Sequence, residues 1–290
     1  MASDDVPRDV GAGVARGTRD SHPAESQFRR TGVAITTATL IDRSRRLELT
    51  GIDFAAFARV PLDEASLRCL RYMHDVEGHT MCYLRDVLAT RAHKDPAITA
   101  FLASWAYEEH WHGEAIARVL EAHGEPSGWD RLSALRKRLP RGDGARPLLF
   151  SFASTLSQHL VAVHMAWGAV NERSTQAAYG RLSSRAGHPV LSELLQRIMK
   201  QEGRHIDFYA SEARRRLGFH AQARALTRFA LRRFWAPVGA GVMPPGELQF
   251  MIGHLFGDDE GLAVARRIDR QIDRLPGLEG LHLLERAASA

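Results

Sequence analysis

The sequence predicts an all-α protein built around a four-helix bundle with one long crossover connection. Three observations support this fold class. Alternating β-branched runs are nearly absent, long amphipathic stretches of helical period dominate, and a polar connector at 124–147 separates two pairs of long helices. We therefore expect a bundle core with additional helices at its amino-terminal and carboxy-terminal ends.

The helices are placed by apolar residues at helical spacing and by the residues that begin and end each stretch. Asp63 is suited to cap the second helix and Asp95 the third, Gly124 ends the third, and Pro189 lies in the first turn of the last long helix. The connector at 124–147 holds a short basic helix. The predicted helices are 36–48, 63–92, 95–123, 146–179, 187–217, 220–234, 245–255 and 259–272.

Composition limits the class of protein. Hydrophobic residues make up 44% of the chain and charged residues 25%, which is usual for a soluble globular protein, and no apolar run is long enough to predict a membrane span. Residues 1–30 have no secretory-signal pattern and predict a disordered tail before one helical domain at 31–290, with an extension from about 218. Cys69 and Cys82 share one predicted helix and cannot form a disulfide framework, which favours the cytoplasm.

Two predicted helices carry a glutamate and a histidine three residues apart in the middle of an apolar stripe. The pairs are Glu109 with His112, and Glu202 with His205. Residues at this spacing project to the same side of a helix, so each pair can converge on one point. One such pair alone would favour a salt-bridged surface, because acids and histidines meet by chance on many helices.

The other two long helices each interrupt their apolar stripe with one glutamate, Glu77 or Glu172. Burying four carboxylates without counter-charge would be costly, whereas two divalent cations would neutralise them. Carboxylates matched by inward arginines are the alternative, but these stripes contain no basic residue. The sequence therefore predicts a dinuclear metal site. Its ligands are Glu77, Glu109, His112, Glu172, Glu202 and His205.

At these residues the chain resembles a known family, the soluble acyl-carrier-protein desaturases of the ferritin-like superfamily. WAYEEHWHGEAI at 105–116 is similar to that family's W-x-x-E-E-N-R-H-G-D segment, and NERSTQAAY at 171–179 to its Q-E-R-A-T segment. KQEGRHIDFY at 200–209 is similar to D-E-K-R-H-E-x-x-Y, and EGHTMCYLRDVL at 77–88 matches the first ligand helix more loosely. The resemblance covers roughly residues 60–217.

The resemblance implies a ferritin-like bundle whose six ligands hold two iron ions, or manganese. It implies that Thr175 lies beside the oxygen-binding position and Trp105 near the cluster, both as catalytic residues. The reaction it implies is desaturation of a fatty acyl thioester on acyl carrier protein, with a ferredoxin-like electron donor and a homodimeric enzyme. The family's aspartate before the last ligand glutamate is Gln201 here, which puts the same electron-entry route in doubt.

Two other functions remain open at this stage. A di-iron oxygenase hydroxylating another organic substrate would use the same ligands, and a ferritin-like storage protein would bind iron without an organic substrate. The residues after 217 argue modestly against storage, because storage shells are usually built from shorter chains.

Three methionines are predicted to line the interior. They are Met73, Met81 and Met165.

The segment from Ala213 to Gly246 contains seven arginines and no acid, in a chain of formal net charge +5. It is either a docking surface for acidic acyl carrier protein or ferredoxin, or a solvated face paired with acids. Asp258, Asp259 and Glu260 are the nearest candidates for such pairing. No nucleic-acid-binding motif accompanies the charge, so we expect no nucleic-acid partner.

Overall fold

The regular structure of this protein is helical. The computed structural model describes residues 44–126, 128–139 and 144–289, without the side chain of residue 146, and no strand occurs within these ranges. The α-helices are α1 (Ala56–Arg59), α2 (Glu64–Leu88), α3 (Pro96–Glu121), α4 (Gly128–Lys137), α5 (Arg146–Leu156), α6 (Leu160–Ala186), α7 (Pro189–Phe219), α8 (Ala221–Phe234), α9 (Pro245–Phe256), α10 (Asp259–Ile272) and α11 (Leu283–Ala288), with a short 3-10 helix at Arg91–Lys94. The predicted all-α class is confirmed.

Four long helices form the centre of the fold. Helix α2 packs against α3 and α6 against α7, and the two pairs meet where α2 contacts α6 and α3 contacts α7. Helix α8 packs along α6, while α9, α10 and α11 contact one another and cover α2 and α6. The chain therefore places one face each of α2, α3, α6 and α7 toward a shared interior.

The interior is divided into two apolar clusters along the bundle. On α3, the residues from Ile98 to Ala106 belong to one cluster and those from Ala115 to Leu120 to the other. On α7, the order is reversed, with Leu191 to Ile198 in the second cluster and Phe208 to Leu217 in the first. This antiparallel order leaves one layer between the clusters. The glutamates and histidines of the predicted site occupy that layer.

Side-chain caps fix the starts of the long helices as predicted. The carboxylate of Asp63 accepts a hydrogen bond from the Ser66 N–H, and that of Asp95 accepts from Ala97 and Ile98. Gly187 follows α6 with φ of +59°, a left-handed conformation that glycine adopts without steric cost. His188 then accepts at Nδ1 from the Leu191 N–H and begins α7. These local bonds set the helix boundaries within a few residues of the predicted ones.

Two predicted helices differ from the structure. The helix at 36–48 is not helical over 44–48, and its first part, like the predicted tail at 1–30, lies outside the described residues. The helix at 146–179 is two helices, because Ser157 is extended and its hydroxyl accepts from the His159 N–H. Such a local side-chain bond competes with the continuing helix and lets the chain turn.

The prediction that Met81 lines the interior is wrong, because its residue is 50% exposed. Helix α2 turns Tyr83 toward Trp105, with ring centroids 6.0 Å apart. Met81 lies two residues earlier, about 200° round the helix, so it faces away from that contact. Met73 and Met165 are buried as predicted.

Within the described residues, every helix is too short or too polar to cross a membrane.

His164 on α6 should make stability depend on pH. It is buried, and burial lowers its pKa from the usual 6.5 to about 4. The folded chain therefore binds fewer protons than the unfolded one, and stability is lost as pH falls from 6.5 toward 4. Between about pH 7.5 and about pH 5 we expect His164 to account for about 2 kcal/mol of lost unfolding free energy.

Denaturant unfolding of the wild type and of His164→Leu at both pH values measures this effect. The variant should lose about 2 kcal/mol less than the wild type over the same interval. His110→Leu, which removes an exposed histidine, is the matched control and should follow the wild type. Equal losses for His164→Leu and the wild type would show that His164 is not the source.

Candidate metal centre

The layer between the two apolar clusters brings all six predicted ligands together. Each is buried, the most exposed being Glu172 at 6%, although every one carries a charge or a polar ring. Each of α2 and α6 contributes one glutamate, and each of α3 and α7 contributes a glutamate and a histidine. The predicted convergence is therefore present.

The six residues form two overlapping groups of four. Glu77 and His112 complete one group and Glu172 and His205 the other, while Glu109 and Glu202 belong to both. Within each group, one candidate ligand atom per residue lies within 4.8 Å of the others. Each group could hold one cation, with Glu109 and Glu202 belonging to both groups and one further, terminal glutamate and one histidine belonging to each.

The atoms that point into this centre are poorly satisfied by the protein itself. The Nδ1 atom of His112 lies 3.3 Å from Glu202 Oε1 and 3.4 Å from Glu109 Oε2. Within the described residues, His112 Nδ1, Glu109 Oε1 and Glu202 Oε1 are buried without a hydrogen-bond partner. Buried acceptors are rarely left unpaired because the cost is high. A pair of divalent cations would satisfy all three atoms, so these residues fit a dinuclear metal centre.

Gln201 fixes which nitrogen of His112 is free. The Gln201 side-chain nitrogen donates to the backbone carbonyl of Arg45 at 3.1 Å, which leaves the Gln201 oxygen facing His112 Nε2 at 2.9 Å. That oxygen can only accept, so His112 Nε2 keeps a proton, and Nδ1 would present its lone pair to the centre once its own proton is displaced. This is the outer hydrogen bond that metal-bound histidines generally make.

His205 is held by a charged partner instead. Its Nε2 lies 2.8 Å from Glu108 Oε2, and the other Glu108 oxygen accepts from Arg204 at 2.6 Å and from the Arg45 N–H at 3.2 Å. Burial opposes the charge on Glu108, but the bonds and charges of His205 and Arg204 outweigh it and lower the Glu108 pKa. One histidine is therefore polarised by a carboxylate and the other by a neutral amide.

The two terminal glutamates are also oriented by hydrogen bonds. Trp105 donates from Nε1 to Glu172 Oε1 at 2.9 Å, and the hydroxyl of Tyr179 donates to Glu77. The resemblance placed Trp105 near the cluster, and this bond gives it a contact with a candidate ligand. Fixed outer partners of this kind hold ligands in place before a metal arrives.

Protons would neutralise part of this cluster when no metal is present. Burial, reinforced by the neighbouring Glu109, raises the pKa of Glu77 well above its usual value, and burial with Glu202 does the same for Glu172. Burial opposes the charged form of His112, yet the nearby carboxylates of Glu109 and Glu202 raise its pKa to about 10. Metal binding would therefore have to displace protons from these groups.

A cavity of about 620 Å³ adjoins the centre. Helices α2, α6 and α8 and the chain at 236–242 form its walls, and these walls are mostly apolar. Glu77, Glu109 and Glu172 lie on its inner wall together with Thr175, which is one helical turn after Glu172. Thr175 and three of the candidate ligands therefore share the wall of one cavity.

The arginine-rich segment is paired differently from the prediction. Arg215 pairs with Glu212 and Arg216 with Asp95, while Arg224 and Arg228 donate to backbone carbonyls. Two of the three predicted alternative partners are occupied elsewhere, because Asp258 pairs with both Arg181 and Arg185, and Glu260 with Arg181. Asp258 and Glu260 therefore do not neutralise the segment.

Glu108, Tyr179 and Arg204 were missed as site residues. Glu108 directly precedes the candidate ligand Glu109, and Tyr179 fits the apolar pattern of its helix as a core residue would. Tyr179 lies seven residues after Glu172, two helical turns along the same face, which is the signal that could have identified it. Arg204 precedes His205, and only the fold brings it to Glu108.

Comparison with known proteins assigns this chain to no family. No protein-family model, curated protein or solved structure matches it. The six converging side chains and their outer partners are therefore the observations that support a metal centre.

Gln201→Leu should weaken metal binding by about 10- to 100-fold, because His112 loses the acceptor that fixes its free nitrogen. Competition of the protein with a chromogenic chelator for Mn²⁺ or anaerobic Fe²⁺ measures the affinity. Gln201→Glu keeps an acceptor and should bind more tightly than Gln201→Leu. Gln196→Leu, at an exposed position on the same helix, is the control, and equal affinities for it and Gln201→Leu would contradict the assigned role.

Proposed function

We propose that this protein is an oxygen-dependent oxidoreductase with two bridged iron ions, or manganese, that acts on an apolar organic substrate. The observation that supports it best is the pair of shared glutamates, Glu109 and Glu202, among buried and unsatisfied ligand atoms. The apolar cavity on the same centre supports an organic substrate. Desaturation of a fatty acyl thioester carried by acyl carrier protein is our first candidate reaction.

A ferritin-like bundle is the proposed architecture for this activity. The order of candidate ligands along the chain is Glu, Glu-x-x-His, Glu, Glu-x-x-His, which is the pattern of carboxylate-bridged centres in such bundles. The crossover at 122–159, between α3 and α6, separates the two halves of the pattern. Both features support the proposal, as does the packing of α2 on α3 and of α6 on α7.

Bound iron would supply the reduction of dioxygen and the oxidation of an unactivated carbon–hydrogen bond. The protein's own residues hold and orient the candidate ligands and the substrate. Tyr179 fixes Glu77, Trp105 fixes Glu172, and the outer partners of the histidines keep both Nδ1 atoms toward the centre. The apolar cavity excludes water and holds the substrate beside the centre. We assign to the hydroxyl of Thr175, a residue of the cavity wall, the role of accepting or donating a proton beside the substrate.

The overall reaction balances with an external electron donor. Desaturation removes two hydrogens and two electrons from the substrate, and dioxygen needs four electrons to become two waters. The remaining two electrons and two protons come from outside, and a ferredoxin-like protein is the proposed donor. Hydroxylation of the same substrate uses the same two external electrons, but one oxygen atom then stays in the product.

Two alternatives differ in what happens to an organic substrate. A hydroxylating oxygenase would give an alcohol, and a ferritin-like storage protein would oxidise iron without consuming any organic compound. The cavity favours an enzyme, because its apolar walls lead directly to three of the candidate ligands. We propose a homodimer for the enzyme, whereas a storage protein would form a larger cage. A sizing column distinguishes these two assemblies.

The deciding experiment measures metal content and then products. Purified protein loaded anaerobically with Fe²⁺ should contain two ions per chain by elemental analysis. With reduced ferredoxin, oxygen and acyl carrier protein bearing a fatty acyl group, mass spectrometry should show loss of two hydrogens. An alcohol would support the oxygenase, and oxygen uptake with an unchanged acyl group would support storage.

A further inference from the structure

Helix α5 has its apolar side outward. Its exposed side chains include four large hydrophobic residues, each at least 65% exposed, whereas Ser154 on the opposite side is buried at 4%. Leu148, Phe152 and Leu156 are spaced by four and form one stripe, with Leu149 beside it. A surface helix in water usually has the reverse arrangement, with its apolar stripe against the core.

The apolar stripe of α5 has no charged residue of its own, and exposed basic residues lie on α8. From Pro147 to Gln158 the sequence contains no charged residue. On α8, Phe229 and Phe234 are 58% and 60% exposed. Arg232 and Arg233 are exposed next to them, and neither has an acidic partner within the described residues.

Helices α5 and α8 both contribute to the wall of the cavity beside the candidate ligands. Phe150 on α5 and Phe229 and Phe234 on α8 line it. The α5–α6 turn touches the start of α8, because His159 Nε2 lies 3.2 Å from the Gln222 side-chain oxygen. A substrate that enters the cavity past α8 would therefore meet the exposed Phe229 and Phe234 side chains.

We propose that the outward faces of α5 and α8 bind the interface of an anionic phospholipid membrane. The docking face consists of Leu148, Leu149, Phe152, Leu156, Phe229 and Phe234, with Arg232 and Arg233 at its edge. Uncharged apolar side chains enter the boundary between headgroups and acyl chains, and arginines pair with anionic headgroups. The link to substrate entry rests on the proposed function, but membrane binding itself does not.

Charge favours a membrane over the other occupants of such a face. In a symmetric contact, a second copy would bring the same arginines to the interface, where they repel, whereas anionic headgroups neutralise them. An acidic carrier protein would pair with the arginines but would leave the leucine and phenylalanine stripe in water. Anionic lipid satisfies both parts of the docking face.

Sedimentation of the full-length protein with sucrose-loaded vesicles tests the proposal. The protein should bind vesicles of phosphatidylcholine with phosphatidylglycerol and bind pure phosphatidylcholine at least tenfold more weakly, with added salt weakening the anionic case. The double variant Leu148→Ser with Phe152→Ser should lose at least tenfold in binding. Arg232→Gln and Arg233→Gln should each lose about fivefold on anionic vesicles.

Val60→Ser, which removes an exposed apolar side chain near α1, is the matched control and should bind as the wild type does. Equal binding by the α5 double variant and the wild type would overturn the proposal, as would no binding to anionic vesicles. A dimer that dissociates only in the double variant would assign the face to a second copy and also overturn it. Metal content measured on the same variants separates this test from the proposed function, since membrane binding should persist even if no acyl group is oxidised.

Discussion

Glu109→Gln should abolish binding of both metal ions, whereas Glu77→Gln should abolish only one. Glu109 belongs to both groups of four candidate ligands and Glu77 to only one of them. Glutamine keeps the volume and one acceptor oxygen but lacks the charge that a divalent cation requires. Elemental analysis after anaerobic loading and desalting should therefore give about zero ions per chain for Glu109→Gln and about one for Glu77→Gln.

The same variants should show that the centre lowers the stability of the metal-free protein. Four buried carboxylates cost free energy when only shared protons neutralise them. The free energy of unfolding of metal-free Glu77→Gln should therefore be about 1–4 kcal/mol higher than that of the metal-free wild type. Saturating metal should reverse the order, because the folded wild type then binds two ions and the folded variant only one. A residue that serves only the fold would show the opposite sign without metal.

Glu121→Gln is the control for these measurements, because Glu121 is exposed on the same helix as Glu109. It should retain two ions and wild-type stability. Undiminished metal in Glu109→Gln would contradict the dinuclear centre directly. An equal loss in Glu77→Gln and Glu109→Gln would contradict the distinction between terminal and shared ligands.

The ligands were predictable because their signal is local. Glu109 and His112 are polar residues inside an apolar helical stripe, and burial of that stripe carries them inward whatever the details of the fold. The caps at Asp63 and Asp95 were predictable for the same reason, since a cap depends on a few neighbouring residues. Whether the four helices share a ferritin-like arrangement stays a prediction.

The partners around the ligands were not predictable in the same way. Glu108 meets His205 from another helix, 97 residues away in sequence, and no periodic pattern reports such a contact. The break after Leu156 depends on one serine hydroxyl, which a pattern of apolar residues does not register. The outward stripe on α5 fits a helical pattern equally well facing in or out, so only the packing determines its direction.

Ala230→Trp should lower the oxidation of a long acyl substrate by about 100-fold while leaving the metal count unchanged. Ala230 lies on α8 and lines the cavity away from the candidate ligands. An indole at this position would occupy the space that the proposed function assigns to the substrate chain and would displace its reacting carbon. Measurement of kcat/KM for acyl groups of several lengths should show the largest loss for the longest chain.

Ala225→Trp adds the same side chain to an exposed position on α8 and should leave kcat/KM unchanged. Oxygen uptake with Fe²⁺ alone should be equal in both variants, because small ions and oxygen do not need the whole cavity. A loss of acyl oxidation with unchanged oxygen uptake would distinguish an enzyme from a storage protein more sharply than metal binding does. Both kinds of protein would hold iron with the same ligands. If folded Ala230→Trp with its full metal content oxidised every acyl group as the wild type does, the cavity would not be the substrate site. The apolar walls beside Glu77 and Glu172 would then need another explanation.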